Sequence, residues 1–268
     1  MSTYGFIGTG NMGGALATAV SETMEPTNIY LANRSIEKSQ ALAEKLGANV
    51  CDNQTAVQCD YVFLGVKPNM IEGVIRELKH DIISRTNPGV FVSMAAAVSI
   101  EKLEGFLGED AAIVRIMPNT PVSVGEGIIL YCANKNVREE AIEELMSALF
   151  WAGKCIKIDE KLMDAASAVA GCGPAFADLF MESLADGGVA CGLPRALATE
   201  LAAQMVLGSA KLLLESGKNP GLLKDEVCSP GGTTIQGVKA LEDAAFRSAG
   251  MNAVIAAYEK TLQLAGKK

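Results

Sequence analysis

The chain has 268 residues, 49% of them hydrophobic, and carries 31 acidic against 23 basic side chains, a net charge of −8. That length and apolar content supply one large or two modest packed cores and exclude a disordered or fibrous chain. The acidic balance leaves no surplus of Lys and Arg to replace counterions on a phosphate backbone or an anionic membrane, so neither nucleic acid nor lipid surface is an expected partner.

From residue 4 to about 160, short β-rich runs alternate with helical patterns. "YGFIG" (4–8), "NIYLANR" (28–34), "YVFLGV" (61–66), "GVFVSM" (89–94), "AIVRIMP" (112–118) and "GIILYCA" (127–133) read as strands. Between and after them, "GGALATAV", "SIEKSQALAEKLG", "MIEGVIRELK" and "REEAIEELMSALFWAG" read as helices. Strand and helix in alternation predict an α/β fold with a doubly wound parallel sheet. From about Lys161 the strand signal disappears, which predicts a dinucleotide-type domain over 1–160 and an all-helical domain over 161–268 entered through a continuous helix. In "PRALATELAAQMVLGSAKLLLESG" (194–217), Leu197, Leu201, Met205 and Leu212 with their neighbours make an apolar face too broad for one shallow contact. A subunit interface and ordinary packing within the chain both account for that face.

Other features set limits. The uncharged apolar runs "GVFVSMAAAVSI" (89–100) and "AASAVAGCGPAFA" (165–177) are too short for a bilayer, and the N-terminus lacks the pattern of a secretory signal, so the cytosol is the expected compartment. Seven scattered cysteines (Cys51, Cys59, Cys132, Cys155, Cys172, Cys191, Cys228) show no CxxC or Cys/His cluster; buried reduced thiols are expected and no metal. The single histidine, His80, lies among charged residues near a helix end and reads as a solvated side chain. Chemistry that needs a histidine base is therefore hard to build.

"GFIGTGNMGG" places Gly8, Gly10 and Gly13 as G-x-G-x-x-G between a strand and a helix. Gly8 permits the turn, Gly10 lets a pyrophosphate reach the backbone, and Gly13 lets helix and strand pack, with phosphate at the helix N-terminus. At the end of the second strand, where an acid holds the 2′-hydroxyl of NAD, "YLANRS" offers Asn33, Arg34 and Ser35. A guanidinium and a hydroxyl suit a 2′-phosphate, so NADPH is expected, with NADH as the alternative. Lys67 in "GVKP" lies at a strand's carboxyl end, as a cofactor contact or a solvated side chain; "IMPNTP" brackets Asn119 and Thr120 with prolines at the same rim, as a nicotinamide contact or a structural turn.

In "VCSPGGTTIQG" (227–237), two glycines, a proline and three hydroxyls precede a helical pattern. By itself the segment reads as a carboxylate cradle or as a loop whose Thr233 or Thr234 caps the helix.

Together "GFIGTGNMG", "VKP", "MPNTP", "AGCGPAF", "ADGGVACGLPR" and "VCSPGGTTIQG", in this order from residue 5 to 237, resemble the pyrroline-5-carboxylate reductases. The resemblance implies reduction of 1-pyrroline-5-carboxylate to L-proline by NAD(P)H, the last step of proline biosynthesis. It implies a Rossmann domain followed by a helical domain that forms dimers, commonly assembled further into decamers. Ser229, Gly231, Gly232, Thr233 and Thr234 would bind substrate, with Thr234 as the catalytic hydroxyl facing the ring nitrogen. The resemblance further implies cofactor contacts from Ile7, Thr9, Asn11 and Met12 around the fingerprint and from Asn53, Val66, Pro68 and Ala96 on later turns. Two positions depart from the family pattern: Ala170 and Cys172 stand where serines are usual, and Glu226 stands where some members carry asparagine. A β-hydroxyacid dehydrogenase shares the opening but needs a lysine one helical turn from an asparagine, and Lys161 has no such partner. A nonenzymatic NADP-binding sensor is the rival of a different class.

Overall fold

The computed structural model describes residues 1–266. The chain divides into two compact units, one of Met1–Cys172 with the C-terminal segment from Tyr258, the other Gly173–Ala257.

In the first unit β1 (Tyr4–Ile7) leads into α1 (Asn11–Ser21), β2 (Ile29–Ala32) into α2 (Ile36–Leu46), and a two-residue β3 (Asn49–Val50) into the single turn α3 (Asn53–Ala56). Then come β4 (Tyr61–Leu64), α4 (Ile71–Glu77), α5 (Lys79–Ile83), β5 (Val90–Ser93), α6 (Ile100–Leu107), β6 (Ala112–Pro118), β7 (Gly127–Ala133), α7 (Glu139–Ala148), β8 (Gly153–Lys157) and α8 (Glu160–Ala170). The strands form one sheet in the order β3-β2-β1-β4-β5-β6-β7-β8. The doubly wound sheet expected from the alternation is present, and every neighbouring pair is parallel except β6 with β7.

Side-chain alternation along the strands builds two cores, one on each face. On one face Tyr4 and Phe6 of β1 stand opposite Tyr61 and Phe63 of β4, their rings stacked at 5.3 and 4.4 Å, with Leu16, Val20 and Leu145 covering them. On the other, Ile7, Val62 and Leu64 pack with Ile71, Ile75, Leu103 and Met163. β1, buried at all four positions, lies between β2 and β4, where the strand order reverses. Ligands of open α/β sheets bind beyond the carboxyl ends of the strands at such a point.

Three details depart from expectation. β7 runs antiparallel because the connection from Asn119 to Glu126 is too short for a parallel crossover. The helix expected to run on through "FWAG" stops at Ala148; a 3₁₀ turn at Phe150–Ala152 and Gly153, at φ 121°, turn the chain into β8. The continuous helix expected from Lys161 ends at Ala170.

The second unit holds α9 (Gly173–Ala190), α10 (Arg195–Ser216), α11 (Pro220–Glu226), α12 (Thr233–Asp243) and most of α13 (Phe246–Leu264). Its buried apolar cluster is small, centred on Ala185, Ala198 and Ala202. Leu197, Leu201, Met205 and Leu212, the apolar face read from the sequence, are 42–54% exposed. Packing within the second unit covers Ala198 and Ala202 beside that face and leaves these four side chains exposed. α10 is also long and apolar enough to cross a membrane by length and composition, with Glu200 and Lys211 within it.

Candidate active site

A cleft of about 700 Å³ opens at the carboxyl ends of the strands around the switch point. Gly8, at φ 100°, turns the chain out of β1 and is pinned on both sides, donating to Ala32 O at 2.9 Å while Gly65 N donates to Ile7 O at 2.9 Å. A Cβ on Gly13 or on Gly65 would run into the carbonyl oxygen of Gly8, so these three glycines bring α1, β1 and the end of β4 into contact. A Cβ on Gly10 would meet nothing within 4 Å. Gly10 is the N-cap of α1 and contributes no side-chain cap, so the first N–H groups of α1 face open space. This geometry fits the pyrophosphate of a dinucleotide: an open backbone approach at a helix N-terminus, with close packing behind it.

Of the residues expected to bind cofactor, Ile7, Gly8, Gly10, Asn33, Arg34, Asn53, Val66 and Lys67 line this cleft together. Arg34 is exposed, and the Ser35 hydroxyl makes no bond to α2, the helix whose N-cap it occupies. Asn11 stands exposed on the first turn of α1, Met12 packs against the core, and Gly13 lies buried behind the phosphate approach. Thr9 is 6% exposed, and its Oγ1 accepts from Asn33 Nδ2 at 3.1 Å. Pro68 starts the 3₁₀ turn after Lys67, and exposed Ala96 sits beside Ala97, a non-glycine residue at φ 61°.

Asn119 lies off the cleft lining and ties three segments: Oδ1 accepts from Ile128 N at 2.9 Å and Nδ2 donates to Ala170 O, at the end of α8, at 3.0 Å. β6, which ends just before Asn119, carries Arg115, 2% exposed, which bridges Glu160 at 3.1 Å and Asp164 at 3.2 Å on α8. Glu160 also accepts from Ile100 N at 2.7 Å, so one buried guanidinium links β6, α6 and α8.

Sequence reasoning passed over Asp52, Gln54, Gly65, Met70, Gly73, Val74 and Glu77, which complete the lining. Gly65, directly after β4, carried a readable signal, a glycine at a strand's carboxyl end. The α4 residues carried none, since only the tertiary fold turns that face toward the cleft. Asp52 caps α3, and the Thr55 hydrogen bonds hold its carboxyl below the usual carboxylate range.

In the second unit, Gly231 at φ 70° reverses the chain and Gly232 N donates to Ser229 O at 3.0 Å. α12 begins at Thr233 with Gly232 as its N-cap, and neither threonine hydroxyl caps it. Ser229, Thr233 and Thr234 are exposed, and the leading N–H groups of α12 are left without intrahelical partners. Of the two readings of this loop, the one with a threonine cap is absent.

His80 is exposed on α5. All seven cysteines are free thiols: Cys59 and Cys132 are buried, Cys51, Cys155, Cys172 and Cys228 half-buried, and Cys191 exposed, so full burial holds for two of them. Desolvation pushes the Cys51 thiol up to about 12 and those of Cys59, Cys132 and Cys155 up to about 11. No His/Cys/Asp/Glu group among the described residues is arranged to hold a metal ion. Lys161 pairs with Asp159 at 3.1 Å, both side chains exposed, outside any cleft arrangement suited to an alcohol base.

Residues 160–264 match the model of the pyrroline-5-carboxylate reductase dimerisation domain, and residues 3–97 match that of the coenzyme F420-dependent NADP oxidoreductases. The pyrroline-5-carboxylate reductase of Arabidopsis thaliana is 41% identical over 265 residues, covering 97% of this chain and 94% of that one. The chain belongs to the pyrroline-5-carboxylate reductase family. The reductase of Escherichia coli is 38% identical over 264 residues, covering 97% of each chain. Among solved structures, pyrroline carboxylate reductase of Plasmodium falciparum with NADP bound superposes with a TM-score of 0.88 at 35% identity, covering 98% of each chain. The pyrroline-5-carboxylate reductase of Coxiella burnetii gives 0.89 at 34% identity, covering 100% of this chain and 99% of that one. Family membership joins two features found separately, an NADP-type fingerprint cleft and a helical unit with an apolar face left uncovered.

Proposed function

We infer that this reductase converts 1-pyrroline-5-carboxylate to L-proline with NADPH, the last step of proline biosynthesis. The observation that carries the substrate assignment is the start of α12: a glycine N-cap, a left-handed Gly231 before it, and no side chain on the N–H groups it presents. The α-carboxylate of a pyrroline ring suits those N–H groups, which lie at the positive end of a helix dipole. Ser229, Gly231, Gly232, Thr233 and Thr234 form the cradle. The Thr234 hydroxyl holds the ring nitrogen and relays its proton. A cyclic imine is basic enough to be protonated in part near neutrality, so the carbon is electrophilic without a strong side-chain acid. The absence of a histidine base is then no obstacle. Orientation and charge neutralisation remain as the work of the protein.

In the cleft of the first unit, Gly8, Gly10 and the N–H groups of Asn11 and Met12 hold the pyrophosphate, with Ile7, Thr9 and Gly13 shaping the turn. Asn33, Arg34 and Ser35 take the 2′-phosphate; Asn53, Val66, Lys67 and Pro68 flank the adenosine half, and Ala96 and Asn119 stand toward the nicotinamide. When bound, the reduced nicotinamide supplies the hydride. Functionally we divide the chain into a dinucleotide-binding part, 1–160, and a substrate-binding and dimerisation part, 161–268.

The exposed apolar face of α10 fits burial against a second copy, and the match to a dimerisation domain supports that self-association; decameric assembly and a cytoplasmic site complete the reading. The test is NADPH consumption by the full chain with and without 1-pyrroline-5-carboxylate, with proline identified as the product. Substrate-dependent turnover supports the assignment; NADPH binding without turnover would overturn it in favour of the sensor.

A further inference from the structure

The Thr9 side chain has no part in the chemistry above, although it lies inside the glycine fingerprint. It is 6% exposed, does not line the cleft, and is spent on Asn33, whose Nδ2 donates to Thr9 Oγ1 at 3.1 Å. Asn33 does line the cleft, directly after β2, where a dinucleotide site of this fold contacts the 2′ position of the ribose. An acidic residue there only accepts hydrogen bonds and repels a 2′-phosphate. A carboxamide carries an acceptor on one side and a donor on the other. Its partner here is a hydroxyl, which accepts from Nδ2 or donates to Oδ1 with equal ease. Whichever end of the amide is held by Thr9, the opposite end is free for the cleft.

We propose that Thr9 is a positioning residue for the acceptance of either cofactor: its hydroxyl holds the Asn33 amide in either orientation, so that Oδ1 meets the 2′-hydroxyl of NADH and Nδ2 meets the 2′-phosphate of NADPH. The inference rests on the reading of this cleft as the dinucleotide site. Exposed Arg34 and the unengaged Ser35 hydroxyl set a standing preference for phosphate, and the Thr9–Asn33 pair supplies tolerance of the other cofactor. Turning the amide exchanges one neutral hydrogen bond for another, so neither orientation leaves a buried group unpaired.

Calorimetric titration of the full chain with NADPH and with NADH, in the absence of substrate, tests this. Thr9→Val keeps the shape and removes both donor and acceptor; each affinity is expected to fall about fivefold, the worth of one neutral hydrogen bond, with their ratio changed by less than about twofold. Thr9→Ser restores most of that loss. Asn33→Asp, which only accepts, keeps NADH to within about threefold and weakens NADPH by more than about tenfold. Should Thr9→Val fold poorly, Asn33→Ala removes the pair from its half-buried end together with the ribose contact itself and is expected to weaken both cofactors by at least as much, NADPH the more. The double variant then loses no more than Asn33→Ala alone. Unchanged affinities in Thr9→Val, a loss confined to one cofactor, or additive losses in the double variant each overturn the proposal. Wild-type protein that binds both cofactors but fails to turn over pyrroline-5-carboxylate defeats the catalytic reading and leaves this test standing.

Discussion

Gly10 and Gly13 belong to one motif, yet the structure gives them opposite tasks, and a pair of alanine substitutions separates them. At Gly13 an added Cβ meets the carbonyl oxygen of Gly8, a backbone atom that cannot swing aside. Gly8 is held on both sides by 2.9 Å ladder bonds involving β2 and the end of β4, so α1 has to move away from the sheet instead. Overpacking of that kind costs about 1–3 kcal/mol, which for a chain of this size lowers Tm by roughly 3–10 °C. At Gly10 the backbone is extended, φ −71° and ψ −166°, and an added Cβ meets nothing within 4 Å. Alanine there restricts the unfolded chain, a gain of about 0.4–1 kcal/mol that is offset by a similar loss because alanine is a poorer N-cap than glycine, so stability stays within about 1 kcal/mol of wild type, while its methyl occupies the path of the pyrophosphate and weakens NADPH by at least about tenfold. The assay is thermal unfolding without cofactor, paired with calorimetric NADPH binding. A Gly10→Ala variant that melts as low as Gly13→Ala, or one that binds NADPH like the wild type, would refute this division of labour.

Arg115→Met takes from Glu160 and Asp164 the buried cation they share and is expected to cost about 3–5 kcal/mol by denaturant titration. Adding Glu160→Gln and Asp164→Asn recovers much of that loss, and a triple variant no more stable than the single one counts against charge burial as the cause. Thr234→Ala lowers kcat/KM for pyrroline-5-carboxylate about 10²-fold and leaves NADPH affinity in place; full turnover in this variant removes Thr234 from the mechanism. The raised thiols bind protons in the folded state that the unfolded chain releases near the ordinary 9.0, so their stabilisation is complete below about pH 9 and is lost as pH climbs through 11 to 12. Melting curves recorded at increasing pH should fall above about pH 9, less steeply in Cys59→Ala and Cys132→Ala, and a Tm equally pH-dependent in those variants excludes the thiols.

The fold was legible where local pattern and global topology coincide. β1, β2, β4 and β5 announce themselves as short apolar runs before helical periodicity, and a parallel sheet follows from that alternation. β7 shares the composition of its neighbours, and only the length of the 119–126 connection distinguishes its direction. β8 was hidden because "KCIK", with two lysines in four residues, follows a helix whose end lies in an aromatic 3₁₀ turn rather than at a proline. The cleft was legible at the fingerprint and at Asn33 and Arg34, where function constrains neighbouring residues. It was not legible at Met70, Gly73, Val74 and Glu77, which reach the cleft through the docking of α4. Asn119 lies off the cleft lining, its amide engaged by Ile128 and by Ala170, the second of these remote in sequence.

The two places that meet ligand in this reading share one device, and it explains why the sequence needs so few chemically distinctive side chains. α1 and α12 both start behind a glycine that supplies no cap, whereas α3, α6 and α11 are capped by Asp52, Ser99 and Asn219, which accept from Thr55, Lys102 and Gly221. A capping oxygen takes up the same N–H groups that an anion would use. A helix start that is to hold a pyrophosphate or a ring carboxylate must therefore forgo its cap, at the expense of some helix stability when the ligand is absent. Glycine is the N-cap that loses least, a few tenths of a kcal/mol relative to a capping side chain, and it lets the ligand approach the backbone. The anionic parts of both ligands are then bound by backbone, and the side chains left to specify are a hydroxyl beside the ring nitrogen and the turn that reads the ribose. Chemistry of that kind does not depend on a histidine, and the single one, His80, lies exposed on α5.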